Sequence, residues 1–280
     1  MRAWCARRSM RLSQLGELGL LVELERRGLA RQIENDAAQL ESGVVVTQDA
    51  LVEGVHFRFD LLTWHELGYR AAAVNLSDLA ASGAEPDGLV VTLALPGETE
   101  LDDVLALYEG LNEAGVPVVG GDTSRAGRVL LSVTALGRSD RVPGRAGAQA
   151  GDTLVVTGPL GAAGAAFREN RLTRPPLRLA EGRELASDAH AMLDISDGLA
   201  VDAGHIAACS GVRCVVELDR VPLAKGAELK DLGFGEDYEL LAAVPEAGRF
   251  TEIGRCEVGD GVVLLHAGQP VDLGGWDHFA

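Results

Sequence analysis

Val118-Val-Gly-Gly-Asp-Thr-Ser124 is the stretch that most constrains how this chain folds. β-Branched residues give way to two glycines and an aspartate, which predicts a buried strand that stops at Gly120 and Gly121. Lacking Cβ atoms, these residues let the backbone turn sharply and admit a bulky anion to its N–H groups, with Asp122 delivered at the strand end. Three other segments end or follow an apolar run with an acid: Val44-Val-Val-Thr-Gln-Asp49, Asn75-Leu-Ser-Asp78 and Leu193-Asp-Ile-Ser-Asp-Gly198. Any one of them reads equally well as a helix cap or a turn starter. Four in one chain point to a shared metal cluster.

The charge balance narrows the partners. Forty-two acidic residues against 25 basic ones give a net charge of −17, the wrong sign for a nucleic-acid or anionic-membrane surface. The surplus carboxylates either keep the surface soluble or are neutralised by divalent cations. A length of 280 residues favours two domains. No apolar run approaches the roughly 20 residues that span a bilayer, and Gln14 and Glu17 interrupt any signal-peptide core, so a cytoplasmic protein is expected. Cys5, Cys209, Cys214 and Cys256 lack CxxC spacing and read as reduced core thiols. Residues 1–9 are basic and patternless, an extension ahead of an amphipathic run that opens at Met10.

Ser13 is the expected cap of a first helix with leucines at 15, 18, 21 and 24, closed by Gly28. A short strand from Asp36, a turn at Ser42-Gly43 and a strand over 44–52 would bring Asp36 near Asp49. Thr63-Trp-His-Glu66 is a capping box that opens a helix running to Gly83. Within it Asn75 and Asp78 share a face with Ala71 and Val74, so their polar groups need either a structural network or a metal. A strand over 88–95, a helix over 99–114, the Val118 strand and a β-rich run over 128–136 complete a first domain, 10–137. The Gly-, Arg- and Ala-rich stretch 137–152 reads as a linker into a second domain, 138–280, with strands at 153, 191, 212, 238 and 262 and helices after Gly158-Pro-Leu-Gly and Ser196-Asp-Gly. The expected class is α/β (α+β): two domains, each a mixed sheet covered by helices.

The Gly158–Gly164 turn lacks G-x-G-x-x-G spacing and a following acid, so it reads as a strand-to-helix turn. No G-x-x-x-x-G-K-S/T loop and no G-x-S-x-G elbow occur. What remains is aspartates with hydroxyl neighbours: Asp36, Thr47 and Asp49, Ser77 and Asp78, Asp122, Asp194, Ser196 and Asp197. Such oxygen donors suit Mg2+ bridging to phosphates, and phosphoryl transfer is the natural reaction.

Asp49 through Phe57, Val74-Asn-Leu-Ser-Asp-Leu-Ala-Ala-Ser-Gly-Ala-Glu-Pro86, Gly120-Gly-Asp-Thr, Arg145-Ala-Gly-Ala-Gln-Ala-Gly-Asp152, Asp194-Ile-Ser-Asp-Gly-Leu199 and Gly235-Glu-Asp-Tyr-Glu-Leu-Leu241 resemble, in order, the motifs of the thiamine-monophosphate kinases. That resemblance, from about Met10 to Phe279, implies the fold of aminoimidazole ribonucleotide synthetase: two α/β domains, a homodimer formed through the first, and ATP near the domain and subunit junction. It implies Mg2+ ions held by Asp36, Thr47, Gln48, Asp49, Asp78, Asp122, Asp194 and Asp197. ATP contacts would come from Gly121, Asp122, Arg145 and Ser196, a thiamine-phosphate site from His56, Glu236 and Trp276, and the catalytic roles from Asp122, Asp197 and Arg145. The implied reaction passes the γ-phosphoryl of ATP directly to thiamine phosphate.

The chain departs from the family pattern at Glu34-Asn35, where Gly-Asp is usual, at Gln48, which replaces a hydroxyl residue, and at Phe234, which replaces the first glycine of the Gly-Gly-Glu-Asp turn. Two competing readings follow: a sister enzyme of the same fold with another substrate, and an ATP-binding homologue with impaired catalysis.

Overall fold

The computed structural model describes residues 11–31 and 35–275, so the expected extension over residues 1–9 and Trp276 lie outside the described residues. The first half opens with α1 (Leu12–Arg26), β1 (Ala38–Gln39), β2 (Val44–Val52) and α2 (Trp64–Ala81). It continues with β3 (Glu85–Leu95), α3 (Leu101–Glu113), β4 (Val118–Arg125) and β5 (Leu130–Arg138). Five strands pair in the order β1-β2-β5-β3-β4, antiparallel except for β3 with β4. Burial alternates along β2 and β5, as expected when helices cover one face only.

The second half runs β6 (Thr153–Val156), α4 (Ala162–Arg168), α5 (Leu179–Ala186), β7 (Ala191–Asp194), α6 (Leu199–Ser210) and β8 (Arg213–Glu217). After two 3-10 turns come β9 (Leu240–Val244), β10 (Thr251–Glu257), β11 (Gly261–His266) and β12 (Gln269–Val271). This sheet has the order β12-β11-β8-β10-β6-β9-β7, with only β11 and β8 parallel. Cys214 and Cys256 face each other across β8 and β10 as buried thiols. Among the described residues no helix is long and apolar enough to cross a membrane.

Helix α2 joins the two halves. The capping box forms as its sequence requires: Thr63 Oγ1 accepts the Glu66 N–H at 3.2 Å, and Glu66 Oε2 accepts the Thr63 N–H at 2.7 Å. Beyond that first turn nearly every residue is buried, because Ala71, Leu76 and Leu79 pack with the first sheet while Ala80 and Ala81 pack with Met192, Leu240 and Ala242 of the second. A helix buried all round brings its polar residues inside with it. Arg70, Asn75 and Ser77 are accordingly buried.

Four expectations need correction. The Val118 strand does not stop at its glycines: β4 continues through them to Arg125 as an exposed edge strand. The reason is close pairing, since a Cβ on Gly121 would stand 1.9 Å from the Val91 carbonyl oxygen. Pro86 lies inside β3, where the pairing with β5 shifts register between Pro86 and Gly88. The first helix is capped by Arg11, not Ser13, and is kinked at Gly16 (φ 72°). Strand β10 and helix α5 were not expected: Thr251-Glu-Ile-Gly-Arg-Cys-Glu alternates poorly, and α5 is only eight residues long.

Helices α2 and α3 touch through glycines. A Cβ on Gly68 would lie 1.9 Å from the Leu107 carbonyl oxygen, and one on Gly110 would lie 1.9 Å from that of His65. Helix propensity alone would make Gly68→Ala stabilising by about 1 kcal/mol. The backbone clash reverses the sign, so Gly68→Ala is expected to lose roughly 1–3 kcal/mol or more in urea unfolding, as overpacked cores do. Gly127→Ala, with no atom in the way, serves as the control and stays near wild type.

Candidate active site

A cavity of about 510 Å³ opens where the two sheets and α2 meet. Its acids come from separate segments: Asp36 before β1, Asp49 on β2, Asp78 on α2, Asp194 at the end of β7 and Asp197 in the turn before α6. Alternation along β2 turns Thr47 and Asp49 toward α2. The Thr47 hydroxyl, with one proton to give, lies in hydrogen-bond reach of both Asp78 and the Asp36 carbonyl oxygen, the latter at 3.1 Å. Ser77, one residue away on α2, donates its hydroxyl to Asp194. Asn75 belongs to the structural network, not the acid cluster: its Oδ1 accepts the Asp49 N–H at 3.0 Å and its Nδ2 donates to the Ala71 carbonyl at 2.9 Å.

Among the described residues, Arg145 is the one arginine or lysine lining this cavity. It comes from the irregular 139–152 segment, and its Nε and Nη2 donate to Asp36 Oδ1 at 2.9 and 2.6 Å. Asn35 helps to seat it, because the Arg145 N–H donates to Asn35 Oδ1 at 3.0 Å. One guanidinium does not balance the buried acids. Burial pushes the Asp78 carboxyl well above the usual carboxylate range, and the charges of Asp49, Asp194 and Asp36 push further. Burial and then the Asp36 charge drive Asp194 up to about 8, opposed by the Ser77 hydroxyl. Burial also raises Asp36, against the opposing pull of Arg145.

The remaining lining differs in chemistry. Val52 donates its N–H to His56 Nδ1 at 3.0 Å, which leaves Nε2 as the protonated nitrogen of the neutral ring. Phe167, half exposed, packs on Phe234 with ring centroids 5.0 Å apart, and both rings line the cavity with Val55 and Leu172. Glu236 also lines it, paired with Arg70 at 2.7 Å.

The cavity therefore gathers Asp36, Thr47, Gln48, Asp49, His56, Asp78, Arg145, Asp194, Ser196, Asp197 and Glu236. Gln48 points to the other face of β2, with its amide engaged by Ser132 and Thr134 of β5. Gly121 and Asp122 do not line the cavity, because β4 places them at the exposed edge of the first sheet. The Gly158 turn holds no free anion site either: Asp237 fills it, accepting the Gly161 N–H at 2.7 Å and the Ala163 N–H at 3.4 Å.

Three residues escaped the sequence reading. Asp202, buried on α6, accepts the Asp197 and Gly198 N–H groups at 3.1 and 3.0 Å and so fixes the Asp197 turn. His205 follows one turn later, and ligand-type atoms of Asp197, Asp202 and His205 lie within 4.8 Å of one another. Arg70 is the third. The available signal was a charged residue on an otherwise apolar helix face, as in Leu199, Asp202, Ala203, Ile206.

The chain matches the family model described as AIR synthase related protein, N-terminal domain, over residues 34–139 and the corresponding C-terminal domain over residues 149–254. It is 33% identical to a thiamine-monophosphate kinase of Aquifex aeolicus, over 96% of this chain and 100% of the relative. It is 37% identical to that of Salmonella typhimurium, over 85% and 87%. A solved structure described as AaThiL complexed with AMPPCP and TMP superposes with a TM-score of 0.89 at 32% identity, covering 97% of this chain and 100% of that one. Hydrogenase maturation protein HypE in complex with ATP shares the fold, with a TM-score of 0.68 at 21% identity. The chain belongs to the AIR synthase related family and, within it, to the thiamine-monophosphate kinases.

Proposed function

We propose that this protein transfers the γ-phosphoryl group of ATP to thiamine phosphate, giving thiamine diphosphate and ADP. The observation that carries the reading is the single cavity in which acids from both halves surround Arg145, in a chain similar throughout to a protein solved with an ATP analogue and TMP. The acceptor is itself a phosphate oxygen, ionised near neutral pH, so no strong general base is required. The reaction demands alignment and control of charge. Arg145, held by Asp36, would meet the phosphate oxygens, and Ser196 would orient the nucleotide. Glu236 and the Phe167–Phe234 pair would face the cationic, aromatic acceptor, in keeping with the attraction of such cations to carboxylates and ring faces. ATP and a reduced-thiol interior fit the cytoplasm.

The acid set also fits Mg2+. Three carboxylates whose proton affinity burial raises, Asp78 and Asp194 further through neighbouring aspartate charges, with a threonine hydroxyl among them, form a hard oxygen donor set short of positive charge. Asp36, Thr47, Asp49, Asp78, Asp194 and Asp197 would hold the ions, which when bound neutralise the charge of the phosphates.

We also propose a homodimer. Among the described residues β4 is an open edge, with Val119 60% exposed, and nothing covers the sheet face opposite α2. A second copy packed there would let Gly121 and Asp122 reach nucleotide phosphates at the subunit junction.

Three outcomes are expected. Incubation with ATP, thiamine phosphate and Mg2+ yields thiamine diphosphate by chromatography, and Asp78→Asn abolishes it; no product from folded wild-type protein would refute the kinase. Asp122→Asn is also inactive, but mixing it with Asp78→Asn restores part of the activity if Asp122 serves the neighbouring subunit, whereas an unrestored mixture rejects that arrangement.

The third outcome concerns pH. Raised carboxyl pKa values mean that the fold favours the protonated form, so their stabilising contribution is present at low pH and lost as pH rises through the folded value, about 8 for Asp194. In EDTA, unfolding free energy should fall between about pH 6 and 8.5, where ordinary carboxylates are already ionised. Mg2+ should abolish that fall and release protons on binding, measurable by calorimetry in two buffers. A flat profile in EDTA would contradict the burial of these acids.

A further inference from the structure

Arg70 sits midway along α2 with 2% of its surface exposed, and nothing in the reaction outlined above uses it. Its Nη1 donates to the Thr173 carbonyl at 3.1 Å, and its guanidinium carbon lies 5.9 Å from the centre of the Tyr238 ring. Nη2 stands 2.7 Å from Glu236 Oε2, but out of line for a hydrogen bond, and Nε has no acceptor among the described residues. A buried guanidinium so incompletely satisfied is costly, and an apolar residue of similar size would pack there more favourably. Fold stability alone does not account for it.

What Arg70 touches is a strained turn. Gly235, Glu236 and Tyr238 have φ of 80°, 57° and 53°, and two of these residues carry side chains. The turn rests on the backbone that presents Ser196 and Asp197: the Glu236 N–H donates to the Ser196 carbonyl at 2.8 Å and the Tyr238 N–H to that of Ile195 at 2.9 Å. The Arg70 side chain is 3% exposed and that of Glu236 is 29% exposed, so the guanidinium stands behind a carboxylate that looks into the cavity.

We propose that Arg70 is a positioning residue for the acceptor: it aims the Glu236 carboxylate into the cavity and steadies the 235–238 turn, and thereby sets affinity for the cationic ring of thiamine phosphate without touching it. The inference rests on the kinase reading.

The test is steady-state kinetics of the full-length protein and its Arg70→Met, Arg70→Lys, Glu236→Gln and Arg70→Met/Glu236→Gln variants. Arg70→Met should raise the KM for thiamine phosphate about tenfold, as losing one partner of a desolvated pair does, and leave the KM for ATP unchanged. Arg70→Lys should recover part of the loss, because its charge still reaches Glu236. The double variant should be no worse than Glu236→Gln alone, because the two residues act through one carboxylate. An unchanged KM for thiamine phosphate, an equal rise in both KM values, or additive losses in the double variant would each overturn the proposal. Should Arg70→Met not fold, Arg70→Lys with and without Glu236→Gln decides by the same criteria. A wild-type protein that makes no thiamine diphosphate removes the kinase reading itself, and this inference with it, an outcome distinct from a failure in the variants alone.

Discussion

The burial of Asp36, Asp78 and Asp194 close to one another and to Asp49 is the constraint around which this structure is arranged. No fold gathers carboxylates this way for stability, since each ionised group loses water and gains a like-charged neighbour. The arrangement persists because hydroxyl donors from Thr47 and Ser77 and the guanidinium of Arg145 meet part of the demand. The chain itself leaves the rest unmet, and under the proposed function bound cations would meet it.

Helix α2 makes this possible. Over little more than two turns it brings Arg70, Asn75, Ser77 and Asp78 into the interior, and each meets a different part of the chain: the Glu236 turn, the β2 backbone, Asp194 and Thr47. Serine and asparagine inside a helix are neutral at best for its intrinsic stability. Here tertiary packing supplies the helix, which frees these positions for chemistry.

Much of this was legible in the sequence, because it follows from local rules. Thr63 and Glu66 announce their capping box, the β-rich run over 44–52 gives β2 its full length, and acids after apolar runs mark four of the carboxylates that reach the cavity, Asp49, Asp78, Asp194 and Asp197, while the expected hairpin places Asp36. Other features depend on what lies across from a residue, and no local pattern contains that. Gly121 looked like a turn and is instead a point of close strand pairing; Gln48 stands beside two cavity residues but faces away from them. Arg70 and Asp202 stand on apolar helix faces, a local sign of burial, but what Arg70 meets there lies in distant segments.

The sharing of α2 between two hydrophobic cores also bears on modularity. Ala71 and Leu76 belong to one core and Ala80 and Ala81, a turn further on, to the other, while Leu172, Leu177 and Leu179 from the second half pack back on the first. The second half also has a core wholly its own, around Leu154, Leu193, Ile206 and Leu241, but the other two cores are each completed across the boundary. Cutting the backbone in the irregular 139–152 segment would leave two fragments that associate, not two autonomous pieces, and recombining halves from distant relatives would succeed only where both donors agree along this one helix.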